Sequence, residues 1–167
     1  MKKIVLIILF AITIFSLSAC SDEKNVKVEK TKEKVNVEKE KDIYIKSVKE
    51  LKKVKESSED IPFTIEVLCE KISNEVRYQV IIDNPSNELR DISAVAIHDK
   101  QTDDIFPSVG IFDKKVDLIP SETPSGVILV GYIPYEGEIE DFEMEVKVLI
   151  SYKIDDIQYK SYYVTKK

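Results

Sequence analysis

The stretch FEMEVKVLISY, residues 142–152, puts Phe142, Met144, Val146, Val148, Ile150 and Tyr152 at every second position. Glu143, Glu145, Lys147 and Ser151 stand between them. Side chains alternate across a strand with a period of two, whereas a helix repeats every 3.6 residues. A helix would scatter these six apolar residues around its circumference. Only a strand gathers them on one buried face and leaves the other to water. This segment therefore commits its part of the chain to a sheet.

The same signature recurs from Ile61 onward. EVRYQVIID aligns Val76, Tyr78, Val80 and Ile82 on one face, and IPFTIEVLCE aligns Phe63, Ile65, Val67 and Cys69. LRDISAVAIHD, DIFPSVGIF, GVILVGYI and IQYKSYYV are further strand candidates. Turn-forming residues separate them: Ser73-Asn74, Asn84 to Asn87, Lys100 to Asp104, Pro120 to Ser125, Pro134 to Gly137, and Asp155-Asp156. Pro107 lacks a ladder N–H, so its segment is expected at an edge or a bulge. About seven short strands with no helical pattern among them predict an all-β sandwich over 61–167. No Trp is present, so the sandwich is not of the antibody Cys-Trp-Cys type.

The first twenty residues read differently. Met1-Lys2-Lys3 is a short basic head, and Ile4 to Leu17 is apolar except for Thr13 and Ser16. The run is too short for a transmembrane helix, which needs about 20 apolar residues, and it suits the apolar region of a secretory signal. Leu17-Ser18-Ala19-Cys20 then resembles the lipobox of bacterial lipoproteins. The resemblance implies a signal peptide over 1–19, cleavage between Ala19 and Cys20, and a diacylglyceryl group on the Cys20 thiol. Two acyl chains anchor a protein stably where one does so only marginally. The implied location is the extracytoplasmic face of the cell membrane. The alternative is an ordinary signal peptide beside a coincidental cysteine.

Charge separates the remainder into two parts. Ser21 to Asp60 carries twelve lysines against eleven acids, and Ile61 to Lys167 carries eleven basic against twenty acidic side chains. An acidic domain does not attract nucleic acid, so that class of partner is set aside. VKVEKTKEKVNVEKEKD buries too little apolar surface to offset chain entropy, which predicts a mostly disordered, charged tether over 20–60. Within it, Ile45, Val48, Leu51 and Val54 recur every third residue among good helix formers, so a short amphipathic helix over 43–56 stands as an alternative to continued tether.

DNPSNELRDISAVAIHDK followed by LIPSETPSGVILVGYI resembles the FxLYD-type immunoglobulin-like domains of bacterial secreted lipoproteins. Asn84 opens the turn, Leu89 and Ile92 fill the strand, Asp99 ends it, and Leu118, Pro120 and Glu122 occupy the second motif. His98 stands where that group has an aromatic, and Ser121 where it has glycine. The resemblance covers roughly 80–133 and implies an immunoglobulin-like fold in an extracellular setting, with no activity attached.

Candidate chemistry is sparse. His98 is the only histidine, so any Ser-His-Asp or Cys-His constellation would have to use it; its parity with Ile92, Ala94 and Ala96 instead marks a satisfied or rim residue. With Cys20 lipidated, Cys69 has no disulfide partner, and its alternation with Phe63, Ile65 and Val67 predicts a buried, inert thiol. Asp99, Asp103 and Asp104 bracket one loop and Glu136, Glu138, Glu140 and Asp141 another, offering oxygen ligands for calcium without matching an EF-hand spacing. Tyr152, Tyr159, Tyr162 and Tyr163 cluster near the C-terminus with mixed parity, so at least one is expected to face outward as a contact residue. These readings predict no catalytic residues, no cofactor and no bound metal. The expected function is that of a lipid-anchored envelope protein whose sandwich binds another envelope protein or a wall component. The alternatives are a structural or accessory envelope lipoprotein, or a small-ligand or calcium-binding one.

Overall fold

In the computed structural model the described residues are 23–100, 105–122 and 126–167, with side chains from residue 36 onward. The chain divides into two compact units, Met1–Asn36 and Val37–Lys167. Among these residues one helix, α1 (Glu23–Leu51), precedes eight strands: β1 (Thr64–Ile72), β2 (Glu75–Asp83), β3 (Leu89–His98), β4 (Ser108–Val109), β5 (Val116–Leu118), β6 (Val127–Pro134), β7 (Glu145–Ile154) and β8 (Ile157–Lys166). A single 3-10 turn, Ile139–Asp141, lies between β6 and β7. Among the described residues no helix is long and apolar enough to cross a membrane.

The strands form two antiparallel sheets. One has the order β1-β2-β6, and the other the order β4-β3-β7-β8 with β5 also paired to β3. Their inner faces share one core, which confirms the expected all-β sandwich. Val76, Tyr78, Val80 and Ile82 of β2 meet Val146, Val148, Ile150 and Tyr152 of β7, the residues that the period-two reading places inside. Phe142 and Met144 join the core just ahead of β7. Eight strands appear where about seven were expected, because β5 has only three residues and leaves no alternation to read. Pro107 immediately precedes the two-residue edge strand β4, as its missing N–H requires.

Turn chemistry sets the hairpins. Asp155 (φ 50) and Asp156 (φ 62) are the two central residues between β7 and β8, both in the left-handed region that the favoured two-residue hairpin turn demands. In β3 the pairing to β7 shifts by one residue between Arg90 and Ser93, a β-bulge, and Asp91 there has φ 53. Asp91 accepts Lys153 at 2.6 Å, and its backbone N–H donates to Asp117 at 2.9 Å. These contacts hold a conformation that few non-glycine residues adopt. Gly110 (φ +67) packs beside the bulge, where a Cβ would sit 2.2 Å from the carbonyl oxygen of Ile92.

α1 departs from the expected tether. The segment expected to be unstructured is helical from Glu23, and the helix considered over 43–56 ends at Leu51. The residues from Val37 belong to the same compact unit as the strands, so the boundary expected near Ile61 falls inside that unit. The composition argument counted only the surface the segment buries by itself. In the fold, Tyr44, Val48 and Leu51, at i, i+4 and i+7, lie against Val95, Ile97, Ile111 and Leu149 on the outer face of the five-stranded sheet. β3 and β7 are therefore covered on both faces, and Leu149 is buried among residues otherwise expected to be solvated.

After α1 the chain runs along β8. Ser58 N–H donates to the Tyr162 carbonyl at 2.8 Å, and the Ser58 and Ser57 hydroxyls accept from the N–H groups of Tyr162 and Val164, each at 2.9 Å. This polar coverage satisfies an edge strand that would otherwise present free backbone groups.

Candidate binding surface

The outer face of the three-stranded sheet carries five exposed large apolar side chains. Register places Leu68, Gln79 and Val130 in one row across β1, β2 and β6, Glu66, Ile81 and Ile128 in the row on one side, and Glu70, Arg77 and Tyr132 in the row on the other. Ile128 is 54% exposed, Tyr132 and Leu68 each 44%, Ile72 41% and Val130 36%. Arg77 and Glu70 form an ion pair (3.7 Å) on that face. Two strands, β1 and β6, thus bracket a polar centre with apolar residues pointing to solvent. The signal was present in the sequence, since Ile128, Val130 and Tyr132 alternate with the buried Val127, Leu129 and Ile133.

The opposite outer face carries a latch. Tyr162 donates its hydroxyl hydrogen bond to Glu50, and Lys160 donates to both Glu50 carboxylate oxygens at 3.0–3.1 Å. The Tyr162 contact holds the Glu50 carboxyl below the usual carboxylate range, with Lys160 adding to it. The same contact pushes the Tyr162 phenol up to about 12. Of the four tyrosines, Tyr162 is the one that the parity argument directs outward, and α1 covers it. Tyr152 is buried, with its hydroxyl 3.0 Å from Ser161 Oγ. Tyr163 packs against the core, and Tyr159 stacks on Tyr152 at the sheet edge and stays 41% exposed. Glu50 and the helix–sheet contact were invisible to sequence reasoning because the partners are 110 and 112 residues apart.

His98 sits edge-on between Tyr78 (5.3 Å) and Phe106 (5.1 Å) and is 8% exposed. It is more enclosed than a rim residue. Its Nδ1 is buried without a hydrogen-bond partner, and desolvation pulls its pKa down. A neutral, ring-packed imidazole is what such an enclosure favours. Cys69 points inward as its parity predicts, yet remains half-buried, on a strand that lies at the end of its sheet. Desolvation still pushes its thiol up, which lowers the thiolate fraction available for chemistry.

Of the acidic loops, Asp99 is used structurally: its carboxylate accepts the Glu145 N–H at 2.9 Å. Asp103 and Asp104 lie outside the described residues, as do Ala19, Cys20 and the whole signal segment. Glu140 and Asp141 are on the 3-10 turn, with Glu136 and Glu138 just before it. Among the described residues no group of three or more His, Cys, Asp or Glu side chains is placed to hold a metal ion. A cleft of about 410 Å³ is lined by Asp99, Lys100, Glu143, Met144, Glu145 and the two C-terminal lysines, and one of about 240 Å³ lies under α1 between Lys46, Glu50, Val95 and Leu149. The chain matches no protein-family model, and no curated protein matches it.

Proposed function

We propose that this chain is a lipid-anchored extracytoplasmic protein that presents an immunoglobulin-like sandwich as a protein-binding module at the cell envelope. The observation that carries the binding reading is the exposed apolar face of the three-stranded sheet, with Leu68, Ile72, Ile128, Val130 and Tyr132 turned to solvent. Exposed large apolar side chains gathered on one face of a folded domain mark an interaction site. The anchoring reading rests on Leu17-Ser18-Ala19-Cys20 and the apolar run before it. The proposed role is non-catalytic, which accords with a ring-packed His98 and a Cys69 thiol held protonated.

Two experiments test the two halves. Cys20→Ala should move the protein out of the detergent phase and abolish the lipid mass; unchanged partitioning refutes the anchor. Crosslinking and pull-down from intact cells should recover an envelope partner with the native chain and lose it with Leu68→Lys plus Ile72→Lys. Recovery unaffected by those charges refutes the face as the binding surface.

A further inference from the structure

The sheet ends are protected unequally. β8 is covered by Ser57 and Ser58. β1 carries Glu66, Glu70 and Lys71, and Lys71 reaches across to donate to the carbonyls of Tyr135 and Gly137. β4 and β5 are two and three residues long, too short to template a partner. Among the described residues β6 has none of these devices. Its eight residues, VILVGYIP, carry no charge, and it is an end strand of its sheet. A long, uncharged, apolar edge strand is a surface that native proteins either guard or use for pairing.

We propose that β6 pairs with β6 of a second copy of this chain, antiparallel about a two-fold axis at Val130, to make one continuous six-stranded sheet. The inference rests on the binding-module reading and names the partner for one edge of that surface. The strand's own sequence is self-complementary in this register. On the outer face Val130 meets the partner's Val130, and Ile128 meets the partner's Tyr132, an aromatic–β-branched pair of the kind that stabilises sheets. No charged residue lies on either side of the seam. Pro134 lacks an N–H and limits the pairing to the strand itself. A two-fold contact of one patch with itself also closes, so it yields a dimer rather than a fibre.

Charge gives the proposal a distinctive signature. The chain from Ile61 carries eleven basic and twenty acidic side chains, so two copies repel at long range while their seam is neutral. Salt screens that repulsion, with a Debye length of about 10 Å at 0.1 M. Self-pairing should therefore tighten as salt rises, whereas docking of a basic segment would weaken.

The test uses the full chain. In detergent micelles, sedimentation should show a monomer–dimer equilibrium that shifts toward dimer at high salt. Ile128→Glu, which replaces the apolar partner of Tyr132 with an anion at two points of the seam, should weaken it by about tenfold or more. Ile128 is over half exposed, so the variant keeps its core, and an unchanged circular dichroism spectrum verifies this. In native membranes Val130→Cys should form a disulfide-linked dimer on oxidation, because directly opposed Cα atoms are about 4.5–5.5 Å apart. Glu70→Cys on β1, about 27 Å from its copy at five strand spacings across and four residues along, should not. The unsubstituted chain sets the background from Cys69. A monomer at every concentration and salt overturns the inference, as does crosslinking at Glu70→Cys in place of Val130→Cys. Crosslinking of Val130→Cys to a different protein overturns the second-copy partner and leaves the binding module standing. Failure of the module reading shows separately, in the Leu68 and Ile72 pull-down.

Discussion

Leu51→Ala tests whether the helix is part of the folded domain. Leu51 is fully buried in a cluster with Val95, Ile97, Ile111 and Leu149, at the last turn of α1. The substitution deletes three carbon groups, worth about 0.8 kcal/mol each in transfer free energy, or about 2.4 kcal/mol. The cavity left behind raises this within the usual range of about 2–5 kcal/mol for buried Leu→Ala changes. The cluster is separate from the inter-sheet core, so the loss should appear first as local opening of the helix. Native-state hydrogen exchange of the backbone amides in the last two turns of α1 reads it directly. Protection there should fall about fifty-fold for 2.4 kcal/mol, while amides of β2 and β7 change less. Lys49→Ala, an exposed position in the same turn, is the control and should leave protection within about twofold. A change at Leu51→Ala no larger than the control's would refute the docked helix and restore the picture of an unstructured tether running to Ile61.

His98 is buried neutral with its pKa pulled below 6.5, so the unfolded chain binds the proton more tightly than the native one. Stability is then full above about pH 6.5 and declines as pH falls toward the native value. His98→Phe should flatten the thermal midpoint between pH 7 and 5, and an unchanged slope would contradict the assignment. Gly131→Ala should cost about 1–3 kcal/mol in a denaturant titration, because the new Cβ would lie 2.4 Å from the ring of the fully buried Tyr78; a neutral result would mean that ring has room to move. Cys69 should react with a thiol reagent several-fold more slowly than a free cysteine, yet measurably in the native state. Complete native protection would place the thiol deeper than β1 allows.

Period two legibly set the inner faces of β2 and β7, since each alternating set, Val76 to Ile82 and Val146 to Tyr152, had to face one side for the strand to bury anything. Pro107 and Asp155-Asp156 likewise marked an edge and a hairpin from their own backbone chemistry. The outer faces were a different matter. Val95, Ile97 and Leu149 look like exceptions to the alternation until α1 is laid over them, and the SAVAI run in β3 is the trace a doubly covered strand leaves. Tyr162 has outward parity, and only the packing of Glu50 on it decides that it is a latch rather than a contact residue. Cys69 had the right parity and incomplete burial, because depth depends on whether a strand has a neighbour on each side. Local periodicity is a property of the chain and can be read from it. Which face stays open, which edge is guarded and whether a Lys/Glu-rich segment folds depend on partners up to 112 residues away, and these exist only once the chain has closed on itself.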